Sequence, residues 1–381
     1  MVFRSVRFAS LLVLPCLLPA CGDDGGDNPF GVPTTTDPGT SSPGASEAGP
    51  GSADSTAGGG ASADSASGTS PGGDTTGFLF DIGNDETGIF PGDCEAVIHT
   101  PCDAGTDDPF NAMGLGCAGE TEIVPSVNAH PDGVGILTSF GEGGTYAPRE
   151  GSSYVVLSTG HVAELGDEPT GPGDQIYHCN DWFSPGDGMN TATFPAPIQA
   201  SNVAGDCMAN PALVGTGDCS NTIEDQFSQS GFKYDYQEIR ISLTVPDDAY
   251  ALSFDVAYLT TEWPVFAGQA YNDMFLAWLE GPGWSGNISY DDGGNALSLN
   301  AAFFDFEDTN GDLPQFAGTC MRYGAGTPWL TSTAAVEPGD EIELVFAIFD
   351  LDDVNLNSMV FLDNFRFQCE GGGGPVTEPA G

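Results

Sequence analysis

Basic side chains are almost missing from this sequence: seven Lys and Arg stand against 55 Asp and Glu, a formal charge of −48. That shortage removes nucleic acid from the partners, because phosphate contacts need clustered Lys and Arg. It equally disfavours adsorption to an anionic membrane surface. Histidine is scarce too, with His99, His130, His161 and His178 as the full complement. There is no CxxC or HxxxH spacing, so a zinc site has no framework. There is no HExxH motif and no phosphate-binding loop, and no catalytic residues are assigned. His161 follows Ser158-Thr159-Gly160 closely, but a Ser–His relay needs hydrogen-bond reach, which neighbouring strand positions facing opposite ways do not give. Helical periodicity is also missing, since no stretch repeats its apolar residues convincingly over three turns. The apolar run from Phe8 to Leu18 is too short to span a bilayer, which takes about 20 residues.

What the sequence does have begins at its N-terminus. Arg4 and Arg7 form a positive segment, Phe8 to Leu18 a short apolar one, and Leu18-Pro19-Ala20-Cys21 follows. The arrangement reads as a secretory signal over residues 1–20. Its end resembles the lipobox of bacterial lipoproteins, which implies lipidation of Cys21 and a membrane partner held through acyl chains. Each buried CH₂ of such a chain contributes roughly 0.8 kcal/mol. An ordinary signal peptide with a chance cysteine is the alternative. Gly22, rather than Asp, at the second mature position favours the outer membrane. With Arg4 and Arg7 removed, five basic residues face 55 acidic ones, a formal charge of −50. Such a chain is soluble, repels polyanions and offers oxygen ligands to hard cations such as Ca²⁺.

Eight cysteines remain beyond Cys21: Cys94, Cys102, Cys117, Cys179, Cys207, Cys219, Cys320 and Cys369. An even number in an exported chain predicts disulfides, with the pairing open; Cys207 and Cys219 bracket a short loop and form the natural local pair. Residues 21–77 are mostly Gly, Ser, Ala, Thr, Pro and Asp, with no aromatic between Phe30 and Phe78. This stretch buries too little apolar area to offset the entropy of ordering and is expected to be a disordered tether. A flexible chain of about 55 residues averages roughly 40 Å end to end. Residues 78–119 are expected to be a cysteine-containing extension packed on the domain, and 370–381 a disordered tail.

Between these segments, apolar residues alternate with period two, the mark of half-buried strands. Ile239, Ile241, Leu243 and Val245 form one row; Leu252, Phe254, Val256 and Tyr258 another. Ile342, Leu344, Phe346 and Ile348 form a third, and Met359 to Phe367 carries the last strand. Asp273 to Glu280 is strand-like and apolar on both sides. Strands rich in Phe, Val and Ile between Gly/Pro/Asp loops predict an all-β fold, a jelly-roll-like antiparallel β-sandwich over residues 120–369.

Three motifs within that region carry a resemblance. Leu252-Ser253-Phe254-Asp255-Val256-Ala257-Tyr258 precedes Thr261-Glu262-Trp263-Pro264-Val265-Phe266 and then Tyr271-Asn272-Asp273-Met274-Phe275. Val156-Leu157-Ser158-Thr159-Gly160 lies upstream. Ala347-Ile348-Phe349-Asp350, with Asp353, Asn357, Ser358, Val360, Phe361 and Leu362, lies downstream. In this order they resemble the choice-of-anchor L domain. Thr261, Trp263, Val265 and Asn357 depart from the family's usual residues. The resemblance implies a secreted surface domain, attached by different anchors in different proteins, with no established enzymatic activity.

The candidate metal ligands are Glu262, Asn272, Asp273, Asp350 and Asp353. If the strand ends that carry them meet, their oxygens match the six to eight ligands at about 2.3–2.6 Å that Ca²⁺ takes. The same residues are equally suited to capping turns. Asp308-Thr309-Asn310-Gly311-Asp312 is a second acidic loop, whose spacing departs from the EF-hand pattern. Trp182, Trp263, Trp278, Trp284 and Trp329 are the tryptophans; Trp263 and Trp284, flanked by Gly or Pro, are candidates for stacking on sugar rings, whereas Trp278 lies mid-strand. The expected function is a non-enzymatic cell-surface binding or adhesion module for glycan or a surface protein, supported by Ca²⁺. A surface polysaccharide hydrolase and a structural envelope protein are the alternatives.

Overall fold

The structure, a computed structural model, describes residues 99–180, 183, 190–227, 231–269, 271–291, 293–301 and 303–381. The expected signal, the lipid-acceptor Cys21, the tether, Cys94 and Trp182 lie outside the described residues. Thirteen strands follow one another among the described residues. They are β1 (Ile123–Asn128), β2 (Val134–Leu137), β3 (Tyr154–Ser158), β4 (Lys233–Thr244), β5 (Ala251–Thr260), β6 (Met274–Glu280) and β7 (Ser285–Asn287). After them come β8 (Phe306–Glu307), β9 (Ala325–Gly326), β10 (Leu330–Ala335), β11 (Glu341–Leu351), β12 (Ser358–Gln368) and β13 (Val376–Pro379). Among the described residues the α-helix is a single turn, Pro109–Ala112, capped by the Asp108 side chain.

The strands form two antiparallel sheets. One has the order β1-β4-β11-β6-β7; the other runs β13-β10-β5-β12-β3-β2, with β8 and β9 beside β5. Consecutive long strands change sheet, β4 to β5 to β6 and β10 to β11 to β12, so the two layers are wound together as in a jelly roll. Rows of alternate residues face one another between the sheets: Ile239, Ile241 and Leu243 on β4, Leu344, Phe346 and Ile348 on β11, and Phe275, Ala277 and Leu279 on β6. Leu252, Phe254, Val256 and Tyr258 on β5 oppose them, with Val360 and Leu362 on β12. Phe254 and Phe346 meet edge to face across the gap, centroids 5.0 Å apart. Burying each such side chain contributes roughly 1.5–3 kcal/mol.

Both outer faces are covered as well, which explains strands that are apolar on both sides. Met274, Leu276 and Trp278 of β6 pack beneath Ile198 and Ile223 of the long β3–β4 connection. Val156, Ala257, Leu259 and Phe361 of the other sheet pack beneath Tyr146, Phe316 and Trp329. Two disulfides pin these coverings, Cys179–Cys320 and the expected local pair Cys207–Cys219, while Cys102–Cys117 closes the N-terminal segment. Cys369 is also disulfide-bonded.

Two boundaries differ from the sequence reading. The segment before Glu120 is more than an extension laid on the domain, because Phe110, Met113 and Leu115 enter the central core. The tail expected to be disordered instead contributes β13, paired with β10 from Leu330↔Pro379 to Thr333↔Val376. Hydrogen bonds rather than apolar area hold it: Thr377 and Ser332 hydroxyls lie 2.9 Å apart, and Tyr290 Oη donates to the Pro375 carbonyl at 2.9 Å. No helix among the described residues is long and apolar enough to cross a membrane.

Candidate functional site

Following each inward row to one end of the sandwich leads to a polar residue. Ile239 and Gln237 lead to Asp235, Phe346 and Ile348 to Asp350, and Ala277 and Phe275 to Asp273. On the facing sheet, Tyr258 leads to Thr260 and then Glu262, Val360 to Ser358, and Leu157 to Thr159. Register puts these ends together: Asp350 pairs with Tyr234 on β4, Phe349 with Met274 on β6, Ser358 with Thr260, and Met359 with Ser158. A bulge between Ile348 and Asp350 turns the β11 end, and Asp235 takes a φ of +48°, a region that Asp tolerates better than most residues.

A hydrogen-bonded bridge crosses between the sheets here. Ser358 Oγ donates to Asp273 Oδ2 at 2.7 Å, and Tyr258 Oη donates to the Asp273 carbonyl at 2.8 Å. Gly160 lies so close that a Cβ there would fall 1.7 Å from Asn357 Nδ2, so glycine is what admits the Asn357 side chain.

Asp235, Glu262, Asp273 and Asp350 are all buried, each no more than 1 % exposed. Both oxygens of Asp235, both of Asp350, Glu262 Oε2, Asp273 Oδ1 and Asn357 Oδ1 have no hydrogen-bond partner. The Thr159 hydroxyl near Asp350 and the Phe183 N–H near Asp235 favour the ionised forms slightly without reaching hydrogen-bond geometry. Among the described residues, no Lys, Arg or His forms an ion pair with these acids. Burying ionised carboxylates unpaired is expensive, and such groups respond by holding protons. Burial accordingly pushes Asp273 up to about 8 and Asp235 up to about 7. Burial first, and then the neighbouring Asp273, drives both Glu262 and Asp350 far above the usual carboxylate range.

Of the five residues singled out in the sequence, four thus gather with their oxygens largely unspent or shared. Asp273 is in carboxyl–carboxyl contact with Asp350. Asp353 is half-buried at the rim, its pKa raised by burial, and Oδ1 accepts the Asn355 N–H at 3.1 Å. Asn272 is the exception: Oδ1 accepts from Asn300 N at 3.1 Å and Nδ2 donates to Gln226 at 3.3 Å. Asp235 was missed by the sequence reading, although it continues the row of Ile239 and Ile241. Among the described residues, no three of the carboxyl groups bring oxygens within 4.8 Å of one another. An ion would therefore have to draw them inward.

Other candidates fall apart on inspection of their partners. Asp308 spends its carboxylate on the N–H groups of Asp312 and Tyr323, at 2.9 and 3.2 Å, and closes a turn. Ser158 Oγ accepts the Gly160 N–H at 3.1 Å, and His161 Nδ1 faces Asp132 at 3.6 Å, so the two form no relay. His99, Cys117 and Glu120 cluster, but the Cys117 sulfur is tied to Cys102 and His99 bridges Glu120 and Glu150.

The two candidate tryptophans are not brought together. Trp263 is half-buried on the β5–β6 loop directly after Glu262. Trp284, beyond the far end of β6, is 9 % exposed. It walls a cleft of about 340 Å³ with Met208, Leu279, Val336 and Ile342 at the opposite end of the sandwich. Trp278 lies in the core, its Nε1 donating to Glu280 at 3.0 Å.

The fold and site define an all-β, disulfide-bearing antiparallel sandwich with a closed cluster of carboxyl groups at one end. No protein-family model matches the chain, and comparison with curated proteins and with solved structures returns no match.

Proposed function

We propose that this chain is an exported, lipid-anchored surface protein whose β-sandwich is a non-enzymatic binding module for glycan or a surface protein, with Ca²⁺ held at the acidic end. Export and anchoring rest on the signal-like N-terminus and on Cys21, and the surface role on the resemblance to the choice-of-anchor L domain. The calcium reading rests on one observation: Asp235, Glu262, Asp273 and Asp350 are buried with oxygens that nothing satisfies. Buried polar groups are almost always partnered, and turn-capping, the rival role, leaves no such orphans. The donor set is all oxygen, without imidazole or thiolate, which suits a hard cation. Asn357 Oδ1, equally buried and unpartnered, adds a neutral donor beside the acids.

The hydrolase reading fares worse at this site. A glycosidase pair must reach a sugar from both faces of the scissile bond, whereas these carboxyl groups are sealed between the sheets. The test is thermal melting of the protein in millimolar Ca²⁺ and in chelator. Ca²⁺ at a hundredfold excess over Kd should add about 2.7 kcal/mol to stability, and Asp273→Asn should abolish that gain. An identical melt in both solutions would remove the metal from the account.

A further inference from the structure

The β5–β6 loop stands on the acidic cluster by both feet. Glu262 begins it and Asn272-Asp273 ends it, while the intervening residues 263–271 carry no charge in a chain with 55 acids. Its tip is aromatic and partly exposed: Trp263, Phe266 and Tyr271 are half-buried, and Val265 is 66 % exposed. Phe266 and Tyr271 meet edge to face at 5.7 Å. The loop is tied down near its feet, with Phe266 N donating to the Glu262 carbonyl at 3.0 Å and Gly268 N to Asn300 Oδ1 at 2.6 Å. Asn300 N in turn donates to Asn272 Oδ1 at 3.1 Å. The Gln269 and Asn300 side chains are exposed; Gln269 Nε2 donates to the Val265 carbonyl at 2.5 Å, leaving its Oε1, and Asn300 keeps its Nδ2, for a ligand.

We infer that this loop is the recognition element of the module, that it takes a neutral glycan, and that an ion bound between its feet orders it. The inference rests on the metal reading above and adds to it the place and class of ligand. Aromatic faces stack on the C–H faces of sugar rings while amides bond the hydroxyls. The chain's negative field turns away uronate or sulfated polymers and anionic lipid headgroups alike. An ion shared by Glu262 and Asp273 would join the two feet at one centre, beyond the hydrogen bonds that already tie the loop, and the added preorganisation raises affinity.

The experiment is retention of the full chain on immobilised neutral polysaccharides (cellulose, xylan, mannan and galactan), with hyaluronan as the acidic comparison, in Ca²⁺ and in chelator. At least one neutral polymer should retain the protein, at least tenfold less in chelator, and hyaluronan should not. Trp263→Ala should lose retention at least tenfold while keeping the Ca²⁺-dependent rise in Tm, whereas Asp273→Asn should lose both. Retention by no neutral polymer, or retention unchanged in Trp263→Ala, would overturn the loop as the glycan site. Capture of another protein or of lipid vesicles through Trp263, without glycan, would overturn the ligand class. A Trp263-dependent retention indifferent to chelator, with the Ca²⁺ rise in Tm intact, would overturn only the ordering by the ion. The same retention with no Ca²⁺ rise in Tm would overturn the metal reading itself.

Discussion

A carboxyl group with both oxygens buried and neither in a hydrogen bond is stable only while it holds a proton or meets a cation. Asp350 is in this position, 0 % exposed with neither oxygen partnered, and the two ways out predict opposite responses to one substitution. In chelator, Asp350→Asn keeps the shape and replaces a carboxyl group that burial holds protonated with a neutral amide, so Tm should hold or rise. In Ca²⁺ the same variant should forfeit the roughly 2.7 kcal/mol gain. A turn-capping carboxylate would instead lose stability in both solutions. The pH dependence follows from the same residues. Asp273 at about 8 and Asp235 at about 7 lie above the unfolded value of about 3.9. The folded protein therefore keeps protons that the unfolded chain has released. That stabilisation is fully present at low pH and is lost as pH rises from about 4 to about 8. In chelator, Tm should fall by about 5 °C or more between pH 5 and pH 8. Ca²⁺ should flatten most of the slope, leaving the share of Asp363, which burial pushes to about 7 at a separate place. A melt independent of pH in chelator would contradict this assignment.

At the scale of the element, the long strands were plain in the sequence because each pairs one row of Ile, Leu, Val and Phe with a predictable register. The rows also announce the site. Where Leu344, Phe346 and Ile348 give way to Asp350, the period continues while the chemistry changes, and Glu262 and Asp273 do the same on their strands. Asp235 escaped notice because Lys233-Tyr234-Asp235-Tyr236 reads as a polar strand start and a bulge interrupts its pairing. Convergence of six strand ends is a property of the sheet order, which no local pattern encodes. The last strand was illegible for another reason: Val376–Pro379 follows a glycine run and carries one aliphatic side chain, so its stability comes from pairing with β10 and from the Ser332–Thr377 contact. Ending the chain after Gly374 should therefore lower Tm and speed amide exchange in β10, whose edge would lose its partner. Unchanged protection of β10 would mean that β13 adds nothing.

At the scale of the whole molecule, the three disulfides between described residues divide into two local clips and one long staple. Cys179–Cys320 joins residues 141 apart, whereas Cys207–Cys219 spans 12. On chain-entropy grounds, removing the staple should cost about 5 kcal/mol and removing the clip about 3. Comparing denaturant midpoints of the two double Cys→Ala variants gives the ranking directly, and equal losses would contradict it. The staple also fastens the covering of the outer sheet face to the acidic end, because the Cys179 carbonyl accepts the Asn357 N–H at 2.9 Å. The candidate metal site, the β5–β6 loop and this clamp thus share one end of the sandwich. The measurement that bears most directly on the account is equilibrium dialysis of the protein against radioactive calcium. Binding should be saturable, lost in Asp350→Asn and kept in Asp308→Asn. No saturable uptake, or uptake indifferent to Asp350→Asn, would contradict it.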